Sequence, residues 1–252
     1  KHALHYQSCR HKVVSLLLCC RYLSSNSYPP PPAEALNLVV ITGTTRTEGP
    51  PKPVLGPRVA KFICQAAERR GNNVAAVLDP LDLDLPLLRK PHFAYAKSRI
   101  PQNLQELADV LRAADGYVTI TPEYNHAPSP ALLNILNHFG FSLFSFKPSA
   151  IISYSAGQWG GTRAAHALRP ILSELGCLPV SAMIHMPYAQ KVLDENGGIV
   201  EQEERDQWVS YTDRCLAQLE WWGEAAKTHR NTVDPMASSP AFVRSPSQRD
   251  AP

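Results

Sequence analysis

Three short stretches of the sequence concentrate groups able to bind a ligand. Gly43-Thr44-Thr45-Arg46 offers two hydroxyls, a guanidinium and open backbone amides. Together with the amides that open a following helix, this is what a phosphate dianion needs. Its spacing matches neither the dinucleotide fingerprint nor the nucleoside-triphosphate loop, and taken alone it also reads as a plain turn. Pro122-Glu123-Tyr124-Asn125-His126-Ala127-Pro128 is stiffened by its prolines. Tyr124 presents an aromatic face and Asn125 both a donor and an acceptor, which suits a flat heteroaromatic ligand. On local chemistry alone, a capped turn with Glu123 and His126 in solvent reads equally well. Ser155-Ala156-Gly157-Gln158-Trp159-Gly160-Gly161 leaves backbone amides open to a planar ring or its carbonyls. Ser155 is not a hydrolase nucleophile, because the strained elbow needs Gly two residues earlier and position 153 is Ser.

The elements between these stretches decide whether they meet. Leu36–Thr42 is a β-branched apolar run ending at Gly43, as in a strand buried on both faces. Val59, Phe62, Ile63, Ala66 and Ala67 then repeat at helical spacing between Pro57 and Gly71. Further strands are expected at 73–78, 116–121, 149–154 and about 180–184. Helical stripes run through Leu104, Leu107, Ala108 and Leu111, then Ala131–Phe139, Ala164–Leu175 and Trp208–Trp222. Pro170 falls inside the fourth helix, where a bend is expected. Strands alternating with helices predict an α/β fold, a doubly wound parallel sheet covered on both faces. In such a sheet ligands sit outside the carboxyl ends of the strands, and the three stretches follow strands one, three and four.

Composition narrows the function. The chain has 252 residues, 44% of them hydrophobic, and a net charge of +3. Residues 1–34 carry Lys1, Arg10, Lys12 and Arg21 against Glu34, so the remainder is neutral. A neutral body argues against nucleic acid, whose binding draws on clustered Lys and Arg. No apolar run reaches the roughly 18 to 20 residues of a membrane span. Six cysteines without Cys-x-x-Cys or zinc-finger spacing suit a reducing compartment. Residues 1–35, basic and ending in Pro29-Pro30-Pro31-Pro32, read as a disordered extension or a transit peptide. Residues 36–227 read as one domain and 228–252 as a disordered tail. The expected location is cytoplasmic, or mitochondrial if the extension is a transit peptide.

PEYNHAPSPALLN and SAGQWGGTRAAHALRPILSELG carry a further signal. Over about Leu36–Trp222 the sequence resembles the NADPH-dependent FMN reductase family of flavodoxin-like proteins. That resemblance implies a five-stranded sheet of order 2-1-3-4-5 and bound FMN reduced by NADH or NADPH. The acceptor it implies is a small molecule: a quinone, a flavin, an azo compound or a metal oxyanion. Thr44, Thr45 and Arg46, with the Leu55–Arg58 amides including Gly56, would hold the phosphate. Pro122, Glu123, Tyr124 and Asn125 would line the ribityl chain and ring. Ser155, Gly157, Gln158, Trp159 and Gly160 would approach from the other side, and no side chain is needed as the catalytic group. The phosphate loop is several residues longer than the family's usual one, and Lys52 is placed to compensate. Ala127 stands where Ser is frequent. Leu133 and Asn137 replace a Lys and an Asp that are common where subunits meet in the homodimer or homotetramer the family implies. An FMN-binding electron carrier and a non-catalytic interaction protein are the alternatives.

Overall fold

The computed structural model describes residues 35–83 and 85–238. The basic extension through Glu34 and the tail from Ser239 onward lie outside the described residues. Strand β1 (Asn37–Thr42) is central and buried. Helix α1 (Leu55–Arg69) buries the stripe read from the sequence, Val59, Phe62, Ile63, Ala66 and Ala67. Gly71, at φ +88°, takes the left-handed turn that leads into β2 (Asn73–Leu78). Residues of β2 alternate between exposed and half-buried for most of its length, as suits an edge strand. After a short α2 (Pro80–Leu83) and a long surface connection, α3 (Gln102–Ala113) buries Leu104, Ala108 and Leu111.

Strand β3 (Gly116–Tyr124) runs three residues past the expected end. It turns back through β4 (Ala127–Pro128), pairing antiparallel as Glu123 with Pro128 and Tyr124 with Ala127. Asn125 and His126 are the two turn residues, at φ 51° and 65°. Positive φ at both central positions is the geometry that a two-residue hairpin requires, and Asn tolerates it. The stretch read as a free loop is therefore largely a strand extension. Helix α4 (Pro130–Asn137) is capped by Ser129, whose Oγ accepts from the Leu132 amide at 3.2 Å.

Next come α5 (Phe141–Phe144), β5 (Pro148–Tyr154), which is buried throughout, and α6 (Thr162–Glu174). Pro170 lies within α6, and both it and His166 are exposed, so water reaches the carbonyl that the missing amide frees. The expected fifth strand is split into β6 (Leu178–Pro179) and β7 (Ile184–Met186). Between the two pairings, two residues of β5 face four on this side, so the extra backbone bows outward. Arg169 gathers the bowed carbonyls of Pro179, Val180 and Ser181 at 2.9–3.2 Å. A one-turn α7 (Ala189–Val192) precedes the long α8 (Arg205–Arg230).

The parallel order is β2-β1-β3-β5-β6, with β7 continuing alongside β5. The sheet is flavodoxin-like but has seven strands where five were expected: the 2-1-3-4-5 path is kept, and it differs by the β4 hairpin strand on β3 and by the split of the last strand into β6 and β7. α1 and α8 cover one face, packing on Val40, Val118, Ile120, Ile152 and Ile184. α3, α4 and α6 cover the other, on Val39, Ile41, Tyr117 and Ile151. α8 extends three residues past the boundary read at Lys227. Arg230 ties its end to the body, donating to the Phe146 carbonyl at 2.8 Å and to Asp115 at 3.2 Å. Cys177 and Cys215 are buried free thiols and Cys64 is half-buried.

Candidate functional site

The chain connecting β1 to α1, the end of β3 and the chain after β5 converge at the carboxyl edge of the sheet. Between them lies a cleft of about 260 Å³. β1 and β3 are neighbours whose connections leave in opposite directions, which is where a doubly wound sheet opens a crevice. Of the residues singled out above, Thr44, Arg46, Gly56, Pro122, Glu123, Tyr124 and Ser155 line the cleft. Thr45, Asn125, Gly157, Gln158, Trp159 and Gly160 lie outside its lining. All of these are exposed except Gly160.

The phosphate-type end is built by α1. Val54 precedes the helix without a side-chain cap, and its first turn holds no acidic residue. Its first amides therefore keep their partial positive charge for an external acceptor. Gly56 is required by closeness: a Cβ there would stand 2.2 Å from Thr44 Cγ2 and 3.0 Å from the Tyr154 hydroxyl. Thr44 Oγ1 accepts from the Arg46 amide at 3.2 Å and lies 3.5 Å from the Tyr124 hydroxyl. Burial, and then the neighbouring Tyr124, push the Tyr154 phenol above its ordinary range, so it stays a neutral donor.

The two arginines near this end have different jobs. Arg46 is exposed, and its Nη2 is steadied by the carbonyls of Glu48 at 3.2 Å and Pro50 at 2.9 Å. Arg58 is buried and faces away from the cleft, donating to Leu193 O at 2.9 Å and Pro53 O at 2.7 Å. It anchors the lengthened loop to the body. Lys52 is exposed and outside the lining.

Glu123 lines the cleft but is not solvated, and its carboxylate is engaged within the protein. Its side chain is only 8% exposed, and it grips Arg163 through Nε at 2.7 Å, Nη2 at 2.6 Å and the backbone amide at 3.1 Å. One carboxylate thus ties the end of β3 to the first turn of α6, and Arg163 in turn stacks over Trp159 at 5.7 Å. With Glu123 neutralised, Arg46 is the uncompensated charge among the described residues of the lining.

In the glycine-rich stretch, Gly157 is open, with nothing within 4 Å of a Cβ position. Gly160, at φ +58°, instead packs on β7, where a Cβ would lie 2.8 Å from Pro187 N. Leu55, expected to offer its amide, and Ala156, within the glycine-rich stretch, also line the cleft, whereas sequence reasoning missed Pro51, Val54 and Tyr154. Tyr154 was within reach, as the last residue of a buried strand at the ligand-bearing edge. The Pro51–Val54 wall carries no local signal.

The model of the NADPH-dependent FMN reductase family matches residues 36–191, a span that contains every wall of the cleft. The chain belongs to this family. Among curated relatives, an NADPH azoreductase of a Bacillus species is 32% identical over 138 residues, 55% of this chain and 69% of that protein. A quinone reductase of Pseudomonas putida is 36% identical over 93 residues, 35% of this chain and 48% of that one. The chain thus spans from about half to just over two thirds of the length of these two relatives. A solved structure, the flavoenzyme NAD(P)H:(acceptor) oxidoreductase FerB from Paracoccus denitrificans, superposes with TM-score 0.57 at 20% identity. The match covers 74% of this chain and 98% of FerB, which shows the fold.

Proposed function

We propose that the chain is an FMN-containing NAD(P)H oxidoreductase acting on a small-molecule acceptor such as a quinone, a flavin or an azo compound. The observation that carries the reading is the cleft itself, with one unpaired cation at an uncapped helix start and aromatic and proline walls beyond it. This donor set fits a phosphate monoester: the α1 amides, Thr44 Oγ1 and the Arg46 guanidinium converge, and no free carboxylate repels a dianion. The Gly56 cradle lets that group approach the backbone.

Pro122 and Tyr124 supply a flat wall for a ring. The open Gly157 presents its amide to the ring's edge, where it stabilises negative charge, while Ser155, whose hydroxyl donates to the Gly157 carbonyl at 2.9 Å and whose amide donates to Met186 O at 3.2 Å, holds that stretch in place and lines the wall. Thr45, Asn125, Gln158, Trp159 and Gly160 belong to the same loops and complete the binding set in this reading. When bound, FMN supplies a ring that accepts hydride from NAD(P)H and passes electrons onward. The protein holds and orients it, and excludes water.

No helix among the described residues is long and apolar enough to cross a membrane. A cytoplasmic homodimer or homotetramer is part of the proposal. The test is the visible spectrum of the purified protein, before and after anaerobic NADPH. A yellow protein bleached by NADPH is the expected result. A yellow protein that NADPH leaves unchanged would identify an electron carrier. A colourless protein that binds no added FMN would overturn the reading in favour of an interaction role.

A further inference from the structure

At the outer edge of the sheet, β7 borders a second hollow of about 280 Å³, lined among others by Ser181, His185, Tyr211, Arg214 and Gln218. It shares no lining residue with the cleft. No carboxylate lines it, and several of its acceptor atoms are already spent. Gln218 Oε1 accepts from Ser181 Oγ and from the Ala182 amide, both at 2.9 Å. The Tyr211 oxygen accepts from the His185 amide at 3.0 Å, which leaves its proton to donate. Arg214 stacks over Tyr211 at 5.6 Å, with its guanidinium edge available.

His185 completes the set. Ser153 Oγ donates to the Gly160 carbonyl at 2.8 Å and lies 2.8 Å from His185 Nδ1. With the serine proton spent on Gly160, Nδ1 must be the donor, so Nε2 is the unused corner of the ring. His166 of α6 interacts electrostatically with His185, and the cationic Arg169 braces the backbone that carries Ser181. The adjacent Asp213 faces Arg69 and Arg70 instead.

We propose that this hollow is an oxyanion site that takes a phosphate group, held by Arg214, the Tyr211 hydroxyl and Nε2 of protonated His185. Without an anion, burial and then His166 hold the His185 imidazole below its usual pKa. A bound phosphate opposes both effects, so occupancy and protonation of His185 rise together. His185 faces Ser153 of β5, His166 of α6, and Tyr211 and Arg214 of α8. The chain His185–Ser153–Gly160 then carries the change to the glycine-rich stretch. Nothing in this argument requires flavin.

The experiment titrates inorganic phosphate into the full chain at constant ionic strength, following the His185 ring resonances by NMR. An Arg46→Ala background removes the first cleft's cation from the readout. The expected result is saturable binding with a raised His185 pKa, weakened at least about tenfold by Arg214→Ala and less by Tyr211→Phe. Near-UV circular dichroism should match the parent, and the single-hydroxyl variant carries the test should Arg214→Ala fail to fold. Absence of saturation, or wild-type affinity in both variants, overturns the proposal. Competition then separates the sources of phosphate. Displacement by 2′,5′-ADP but not by 5′-AMP assigns the site to a nucleotide 2′-phosphate, and displacement by neither assigns it to free phosphate. Because the readout is His185 rather than flavin, failure here leaves the cleft's reading untouched, and the reverse also holds.

Discussion

Replacing Glu123 with Ala separates two roles that its position beside the cleft would otherwise confound. The carboxylate makes three charge-assisted contacts to Arg163, of 2.6, 2.7 and 3.1 Å. Hydrogen bonds to charged groups contribute about 1.5–3 kcal/mol each when buried. The Arg163 side chain is 42% exposed, however, and recovers water once released, so most of that value is discounted. The first turn of α6 also loses its acidic partner at the Arg163 amide. The expected loss is about 2 kcal/mol of stability, and about half of that for Glu123→Gln, which keeps one carbonyl oxygen for the same donors. For a domain of this size such a loss lowers Tm by roughly 4–8 °C. Urea unfolding of the apoprotein measures the stability, and quenching of FMN fluorescence measures binding. A clamp predicts lost stability in apoprotein, with any FMN effect secondary to it. Unchanged stability with weakened FMN would refute the clamp and make Glu123 a direct ligand.

Arg46→Ala should weaken FMN by tenfold or more, equivalent to about 1.4 kcal/mol per decade, with unfolding unchanged. Arg58→Ala should instead cost stability, since its buried guanidinium holds Leu193 and Pro53. Gly160→Ala should destabilise by at least about 2 kcal/mol, because its Cβ meets the backbone at Pro187 N and Met186 N at 2.8 and 3.0 Å. Gly157→Ala, with open space, should leave unfolding untouched and lower only FMN affinity. Lys147 predicts a pH dependence: burial, chiefly, lowers its pKa from 10.5 to about 8, while it donates to the Leu111 and Arg112 carbonyls. Above about pH 8 the unfolded chain binds the extra proton, so stability rises by about 1 kcal/mol between pH 8 and 9. Lys147→Met should remove that rise. Above pH 9 the sign reverses for the buried thiols Cys177 and Cys215, raised from 9.0 to about 12, because the folded state keeps protons that the unfolded chain releases. Urea unfolding across this pH range tests both.

Local periodicity alone made β1, α1, β2, α3 and α6 legible. A strand buried on both faces must be uniformly apolar, and a helix covering a sheet must carry one apolar stripe. The ligand-bearing edge was legible for the same reason, since alternation of strand and helix sends the connections after β1, β3 and β5 to one end of the sheet. The pairings between distant residues were not legible. Glu123 looks like any acid in a proline-rich loop until Arg163, forty residues on, is brought against it. Asn125 and His126 read as loop until β4 folds back on β3 and turns them into a hairpin tip. The split of the fifth strand depends on Arg169 and Gln218 collecting backbone groups from another element. Burial pattern is a property of each segment, so the sequence by itself determined the layers and their order of appearance. Which charge is neutralised and which remains free at the cleft is a property of pairs far apart in the chain, and only the tertiary structure decided that Arg46 is the cation left over.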